Sequence, residues 1–324
     1  MSVLSDIKKP VAAEMREFDS YFNRILQSDV PFFRLILNTI IRRKGKQMRP
    51  LLVFLTARLN GTICDSTYVG ATMIELLHTA TLVHDDVVDD ATERRGLPSI
   101  NALWNSKIAV LVGDYLLAQG MLISVKKKSF EILEIVSEAV KEIIKGELIQ
   151  LQKTRTLNLK EEDYFRIITM KTASLISACT TCGARSVTDD NEVIERMKEF
   201  GLNLGIAFQI KDDLLDYSGN GLTGKKEGND IKEKKITLPL IHALREAGPK
   251  EKRKIIRIIR KKKKGKKEIS EVIDFVIRNK GLEYAEGIMN EYADKAVKAL
   301  ELYPETDTKT SLIEFVLFST SRKK

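Results

Sequence analysis

Residues 66–90 read STYVGATMIELLHTATLVHDDVVDD. Val69, Met73, Leu76, Leu77, Ala80, Val83 and Val87 recur there at spacings of three and four, the period of a helix with one apolar face. Asp65 and Ser66 are the expected N-caps, because a short side-chain oxygen can bond the free amides of a first turn. The same period extends in both directions. Upstream, Pro50 precedes LLVFLTARL as a proline in the first helical turn, and Gly61 closes that segment. Downstream, EILEIVSEAVKEIIKGELIQL, EEDYFRIITMKTASLISAC, NEVIERMKEFGLNLGIAFQIKDDLLDY and ISEVIDFVIRNKG repeat the pattern. No alternating strand run, fixed-period repeat or Pro/Gly/Ser linker interrupts it. The predicted fold is all-α, one large helical domain over residues 1–324.

Composition narrows the function. Apolar residues are 43% of the chain, too many for intrinsic disorder, and 6% aromatics with 7 prolines speak against many short strands. The net charge is +9, but residues 250–267 (KEKRKIIRIIRKKKKGKK) hold 12 Lys or Arg and one Glu. Removing these from the totals of 54 basic and 45 acidic residues leaves 42 against 44, so the body is near neutral. A uniformly basic nucleic-acid binder is excluded. Within the block, Ile255, Ile256, Ile258 and Ile259 give one helical turn an apolar side, and KKKKGKK reads as an exposed loop. A solvated face is the plain expectation. Peripheral contact with anionic lipid or with a partner comes next, and nucleic acid last, since no aromatic residue sits among the charges. The three cysteines form no disulfide framework and fit a reducing compartment. The CxxC of Cys179 and Cys182 lies in a small-residue helix and is expected to pack rather than react. The N-terminus shows no signal peptide, and charge breaks the apolar runs, as at Asp114, so no segment is expected to span a bilayer. The expected location is cytoplasmic.

Two acidic sets carry the chemistry. Asp85-Asp86-Val-Val-Asp89, followed by Asp90, and Asp212-Asp213-Leu-Leu-Asp216 place Asp85 with Asp89, and Asp212 with Asp216, one turn apart on a helix face. Two carboxylates about 4 Å apart repel by roughly 4 kcal/mol at an effective dielectric of 20. Oxygen-only ligands suit a hard cation, Mg²⁺ above all, which takes one or two carboxylates and completes its shell with water and substrate phosphate. A solvated acidic face is the competing reading. It fits poorly, because both sets are embedded in apolar sequence, TLVHDDVVDD and FQIKDDLLDY.

Phosphate needs donors as well. Lys46 and Arg49 lie one turn apart at a helix start, where the helix dipole adds positive potential. Arg94 and Arg95 follow the first acidic set, and arginine binds phosphate bidentately. His78 precedes Asp85 by two turns, Lys171 and Thr172 fall mid-helix, and Lys225 and Lys235 follow the second set. Two basic groups around the acidic residues point to two phosphorylated substrates.

The stretches GKQMRP, LLHTATLVHDDVVDDATERRGLPS, MKTASL, AFQIKDDLLDY and GNDIKEKKITLPLI occur in the order found in the trans-isoprenyl diphosphate synthases, or polyprenyl synthetases, and span residues 45–241. The chain resembles this family, particularly its long-chain members such as octaprenyl diphosphate synthase. The resemblance implies an all-α fold with a central cavity, usually in a homodimer. It implies that Asp85, Asp89 and Asp212 hold Mg²⁺, three ions with substrate bound, with Asp86, Asp213 and Asp216 in support. It implies that Arg94, Lys171, Thr172, Gln209, Lys225 and Lys235 hold an allylic diphosphate. Lys46, Arg49, His78 and Arg95 would hold isopentenyl diphosphate. One departure is Lys234, where the family often has glycine.

The implied reaction is electrophilic chain elongation, which needs no side-chain nucleophile, and no Ser-His-Asp or Cys-His set is evident. Short-chain members tend to carry bulky aromatics four and five residues before the first aspartate. Here those residues are Thr81 and Ala80, with Leu77 and Met73 further along the same face, which implies a long product of roughly heptaprenyl to nonaprenyl length. The alternatives are a farnesyl or geranylgeranyl synthase, a non-catalytic partner subunit, and a head-to-head synthase or terpene cyclase. Intact acidic motifs argue against the second, and Lys46, Arg49 and His78 against the last.

Overall fold

A computed structural model describes residues 3–42, 45–94, 97–156, 160–217 and 228–322. The helices, in chain order, are α1 (Val3–Ile7), α2 (Ala12–Ile25), α3 (Pro31–Arg42), α4 (Met48–Asn60), α5 (Asp65–Val88), α6 (Ile100–Trp104), α7 (Ser106–Lys126), α8 (Phe130–Thr156) and α9 (Glu161–Ile168). They continue with α10 (Ser174–Arg185), α11 (Asn191–Asp216), α12 (Asn229–Lys232), α13 (Leu238–Glu246), α14 (Pro249–Arg260), α15 (Lys266–Arg278), α16 (Gly281–Lys298) and α17 (Asp307–Ser321). Among the described residues the only sheet is a two-residue antiparallel pair, Glu93–Arg94 with Leu97–Pro98. The fold is all-α, as the periodicity predicts.

The helices belong to two compact units. The first comprises Met1–Val140, Leu175–Gly201 and Leu302–Phe315. Its centre is α5, which packs against α4 and α7 and buries residues on nearly every side, among them Val69, Met73, Ile74, Leu77 and Ala80. Burial all round is what a helix in the middle of a bundle requires. Gly113 of α7 sits where a Cβ would meet the His84 ring, so the absent side chain lets α7 close on α5. Cys64 is the N-cap of α5, not Asp65 or Ser66: its amide donates to Thr67 Oγ1 at 3.3 Å. The threonine hydroxyl, three residues on, reaches back to the amide of the cap residue, the reciprocal bond of a capping box.

The second unit comprises Lys141–Ser174, Leu202–Glu301 and Val316–Lys324. Its core joins Tyr217, Leu240, Ile255, Ile259, Val272 and Phe275 with their neighbours on α12 to α15. The segment expected as one helix from Glu161 is interrupted by a π-helical turn over Thr169–Ala173, between α9 and α10. Periodicity cannot reveal such a turn, because one inserted residue leaves the apolar spacing almost unchanged. KKKKGKK is a loop only as far as Gly265, and Lys266 already opens α15.

The expectation that no segment could span a bilayer is corrected. By length and composition α7 meets that test, the one described helix to do so, because Asp114 alone does not lower its hydropathy enough. One face of it is buried in the first unit through Ala109, Val112, Leu116 and Ser124.

Candidate active site

Within the first unit, α5 carries the first acidic set at its carboxyl end. Asp85 lies in the last turn, Asp89 is the C-cap, and the Asp89 amide donates to the Asp85 carbonyl at 2.8 Å. Asp90 follows in the left-handed region at φ 50°. Asp86 is buried, Asp85 half-buried and Asp89 exposed. This is the wrong end of a helix for acid. The macrodipole is negative there, so each carboxylate is repelled by the helix as well as by its neighbours. A cation at this end relieves both.

The chain-length residues lie on the same helix. Ala80, Leu77 and Met73 are buried and Thr81 is half-buried, with its hydroxyl turned back to the His78 carbonyl at 2.9 Å. Ser124 of α7 bonds the Met73 sulfur, so Met73 is held from the side. His78 is half-buried. Arg49 lies in the first turn of α4, and Lys46 is exposed two residues before it. Between them Gln47 takes a left-handed backbone at φ 52° and donates to Asp19 at 2.9 Å, which fixes the entry to α4. The Arg94 side chain, Arg95 and Lys225 lie outside what is described.

The second unit repeats the first arrangement. Asp212, Asp213 and Asp216 occupy the last two turns of α11, again at a carboxyl end. Their environments differ. Asp212 is half-buried and accepts from Arg322 Nη2 at 3.2 Å. The guanidinium of Arg322 lies 4.0 Å from the Phe208 ring centre and donates to the Phe208 carbonyl at 3.4 Å. Burial pushes its pKa below the usual arginine range, with the Asp212 carboxylate opposing. Asp213 is buried and accepts from Tyr164 Oη at 2.7 Å and Gln209 Nε2 at 2.8 Å. Burial, with Asp230 nearby, pushes Asp213 up to about 8 against the pull of those two bonds. Asp216 accepts from the amides of Asn229 and Asp230, both at 3.0 Å, and so caps α12.

Thr172 donates to Gln209 Oε1 at 2.7 Å, and Gln209 passes the chain on to Asp213. Gly205 permits this approach, since a Cβ there would lie 2.5 Å from the Ala173 Cα. Lys171 turns elsewhere, to Gln150 at 3.1 Å and to the Glu147 carboxylate. Lys235 pairs with Glu233 at 2.6 Å, and its amide donates to the Asp230 carbonyl at 2.8 Å. The second unit therefore joins Thr172, Gln209 and Asp213 in one chain and leaves Lys171 and Lys235 on carboxylates of their own. Tyr164 and Arg322 are missing from the sequence reading. Their only signals are a tyrosine in an apolar turn and a basic residue after an apolar helix.

The donors fit a hard cation. Among the described residues no three His, Cys, Asp or Glu side chains converge as a closed cage. Mg²⁺ needs none, because it takes one or two carboxylates with substrate oxygens and water. The CxxC does not suit metal or redox work: Cys179 and Cys182 are buried and unlinked, and burial pushes the Cys179 thiol up to about 12.

The polyprenyl synthetase family description matches residues 30–276. Octaprenyl diphosphate synthase from Escherichia coli K12 is 34% identical over 322 residues, covering 99% of each chain. All-trans-nonaprenyl-diphosphate synthase (geranyl-diphosphate specific) from Rhodobacter capsulatus is 36% identical over 319 residues, 98% of this chain and 97% of that one. The structure of a polyprenyl synthase from Caulobacter crescentus CB15, complexed with calcium and isoprenyl diphosphate, superposes with a TM-score of 0.92 at 35% identity, covering 99% and 98% of the two chains.

Proposed function

The chain belongs to the polyprenyl synthetase family, and from that premise we propose that it makes an all-trans polyprenyl diphosphate of roughly heptaprenyl to nonaprenyl length. The supporting observation is that both aspartate sets end long helices at their negative poles, in otherwise apolar sequence, where each calls for a cation. Substrates are an allylic diphosphate and successive isopentenyl diphosphates. Asp85 and Asp89 at the end of α5, and Asp212 at the end of α11, would each hold Mg²⁺. When bound, that cation supplies stabilisation of the charge that gathers on the leaving diphosphate.

The protein's own groups do the rest. Lys171, Thr172, Gln209 and Lys235 bind the allylic diphosphate, and Lys46 and Arg49 at the α4 start bind isopentenyl diphosphate. The allylic C–O bond breaks and releases diphosphate, the double bond of isopentenyl diphosphate attacks the cation, and transfer of a proton to the released diphosphate restores an alkene five carbons further on. Positive side chains held in a dry site stabilise the departing anion far better than water does. Gln209 and Tyr164 fix Asp213, so the end of α11 holds its shape while charge moves. Buried Ala80, Leu77 and Met73 offer an apolar path that excludes water from the cation.

The free cysteines suit a cytoplasmic setting. A homodimer is supported by the outer face of α7, where Val110, Leu111, Met121, Leu122 and Val125 are exposed at helical spacing. Incubation with farnesyl diphosphate, labelled isopentenyl diphosphate and Mg²⁺, followed by chromatography of the dephosphorylated lipids, tests the proposal. Label in chains of octaprenyl size is expected. Label confined to geranylgeranyl size, or none, overturns it.

A further inference from the structure

The basic block has an architecture of its own. Helix α14 buries Ile255, Ile258 and Ile259 in the second unit's core. Lys250, Arg253, Arg257 and Arg260 recur at spacings of three and four on the opposite side, and all four are exposed. Three nearby acids are already taken. Glu251 pairs with Arg278 at 2.9 Å, Glu268 with Lys261, and Glu271 with Lys254. Lys264 ties the following loop down, donating to the carbonyls of Lys232 at 3.2 Å and Lys261 at 3.1 Å. The four stripe residues, with exposed Lys262 and Lys263 in that loop, make no ion pair among the described residues.

We infer that this stripe docks the protein on an anionic phospholipid bilayer. The helix lies flat on the headgroups and does not enter the acyl region. Two features decide this. The apolar side of α14 is committed to the protein core, so the helix has nothing left to insert, and adhesion rests on charge alone. The stripe has no aromatic residue to stack on bases, which separates it from a single-strand nucleic-acid surface. The inference rests on the proposed activity in one respect: a long polyprenyl diphosphate partitions into a bilayer, so a synthase held at that surface delivers its product directly.

The test is sedimentation of the full chain with vesicles of phosphatidylcholine alone, or with a third phosphatidylglycerol, at low and physiological salt. Binding is expected only with phosphatidylglycerol, weaker as salt rises, and about tenfold or more weaker in the triple variant Arg253→Glu, Arg257→Glu, Arg260→Glu. These side chains are exposed and the isoleucines are untouched, so a native thermal transition confirms that the variant folds. Equal binding to phosphatidylcholine, equal binding by the variant, or retention by single-stranded RNA without retention by vesicles overturns the inference. Prenyl transfer in detergent solution, run on the same samples, is expected to be unchanged in the variant. Its absence from wild type, beside intact vesicle binding, would reject the proposed activity and spare the surface.

Discussion

At the scale of single residues, aspartates from two sets of matching spacing meet different fates. Asp212 faces a guanidinium, Asp213 a tyrosine and a glutamine, Asp216 two amides, and Asp89 solvent. Asp213 gives a pH prediction. Its pKa is raised in the folded chain, so the proton it holds stabilises the fold fully below the unfolded value, and that contribution is lost as pH rises towards about 8. Metal-free wild type should lose up to about 1.4 kcal/mol per pH unit from this group between pH 5.5 and 8, while Asp213→Asn lacks that slope. Urea unfolding of both proteins across this range checks it, and parallel curves would contradict it. The spacing of the aspartates was legible because a helix turn is a local rule. Tyr164 and Arg322 were not, since they reach Asp213 and Asp212 from 49 and 110 residues away in sequence and no period marks them.

At the scale of elements, helix ends and turns carry the exceptions. Lys234 has a left-handed backbone at φ 61°, the conformation for which glycine is suited, and this is where the family often has glycine. Lys234→Gly should therefore raise stability by roughly 1 kcal/mol, seen as a higher thermal midpoint. An unchanged or lower midpoint would show that the lysine side chain compensates. On α5, Ala80 is fully buried beside the path assigned to the growing chain. Ala80→Phe is expected to shorten the product by several isoprene units, read by chromatography, and an unaltered product profile would refute that path. The long helices were readable from spacing, whereas the π turn at Thr169–Ala173 and the cap at Cys64 were not. Both depend on hydrogen bonds that leave the apolar pattern intact.

At the scale of the whole molecule, the chain matches long-chain synthases from end to end, and its surplus charge and its exposed apolar stripe fall on different helices. The charge lies on α14, the loop after it and the start of α15, and the stripe on α7, where Leu111 is 66% exposed. Placing Asp at Leu111 and Leu122 should convert a dimer to monomer in analytical ultracentrifugation, and a wild type that is already monomeric contradicts the assignment. The sequence misjudged α7 because Asp114 was weighed as an interruption, although a single charge leaves the helix apolar enough to pass as a span. Its buried face on α5 was not read from the sequence; the structure shows it at Gly113 and Gly120, which approach His84 and Leu76 of α5.

The central claim is that both aspartate sets serve a divalent cation and a diphosphate. Calorimetric titration with a non-reacting thio analogue of farnesyl diphosphate tests it most directly, with and without Mg²⁺, on wild type, Asp85→Ala and Asp212→Ala. Tight binding by wild type is expected only with Mg²⁺, and it should weaken at least about tenfold in each variant, the cost of losing a charge-assisted contact. Wild-type affinity in either variant, or tight binding without the cation, would contradict it.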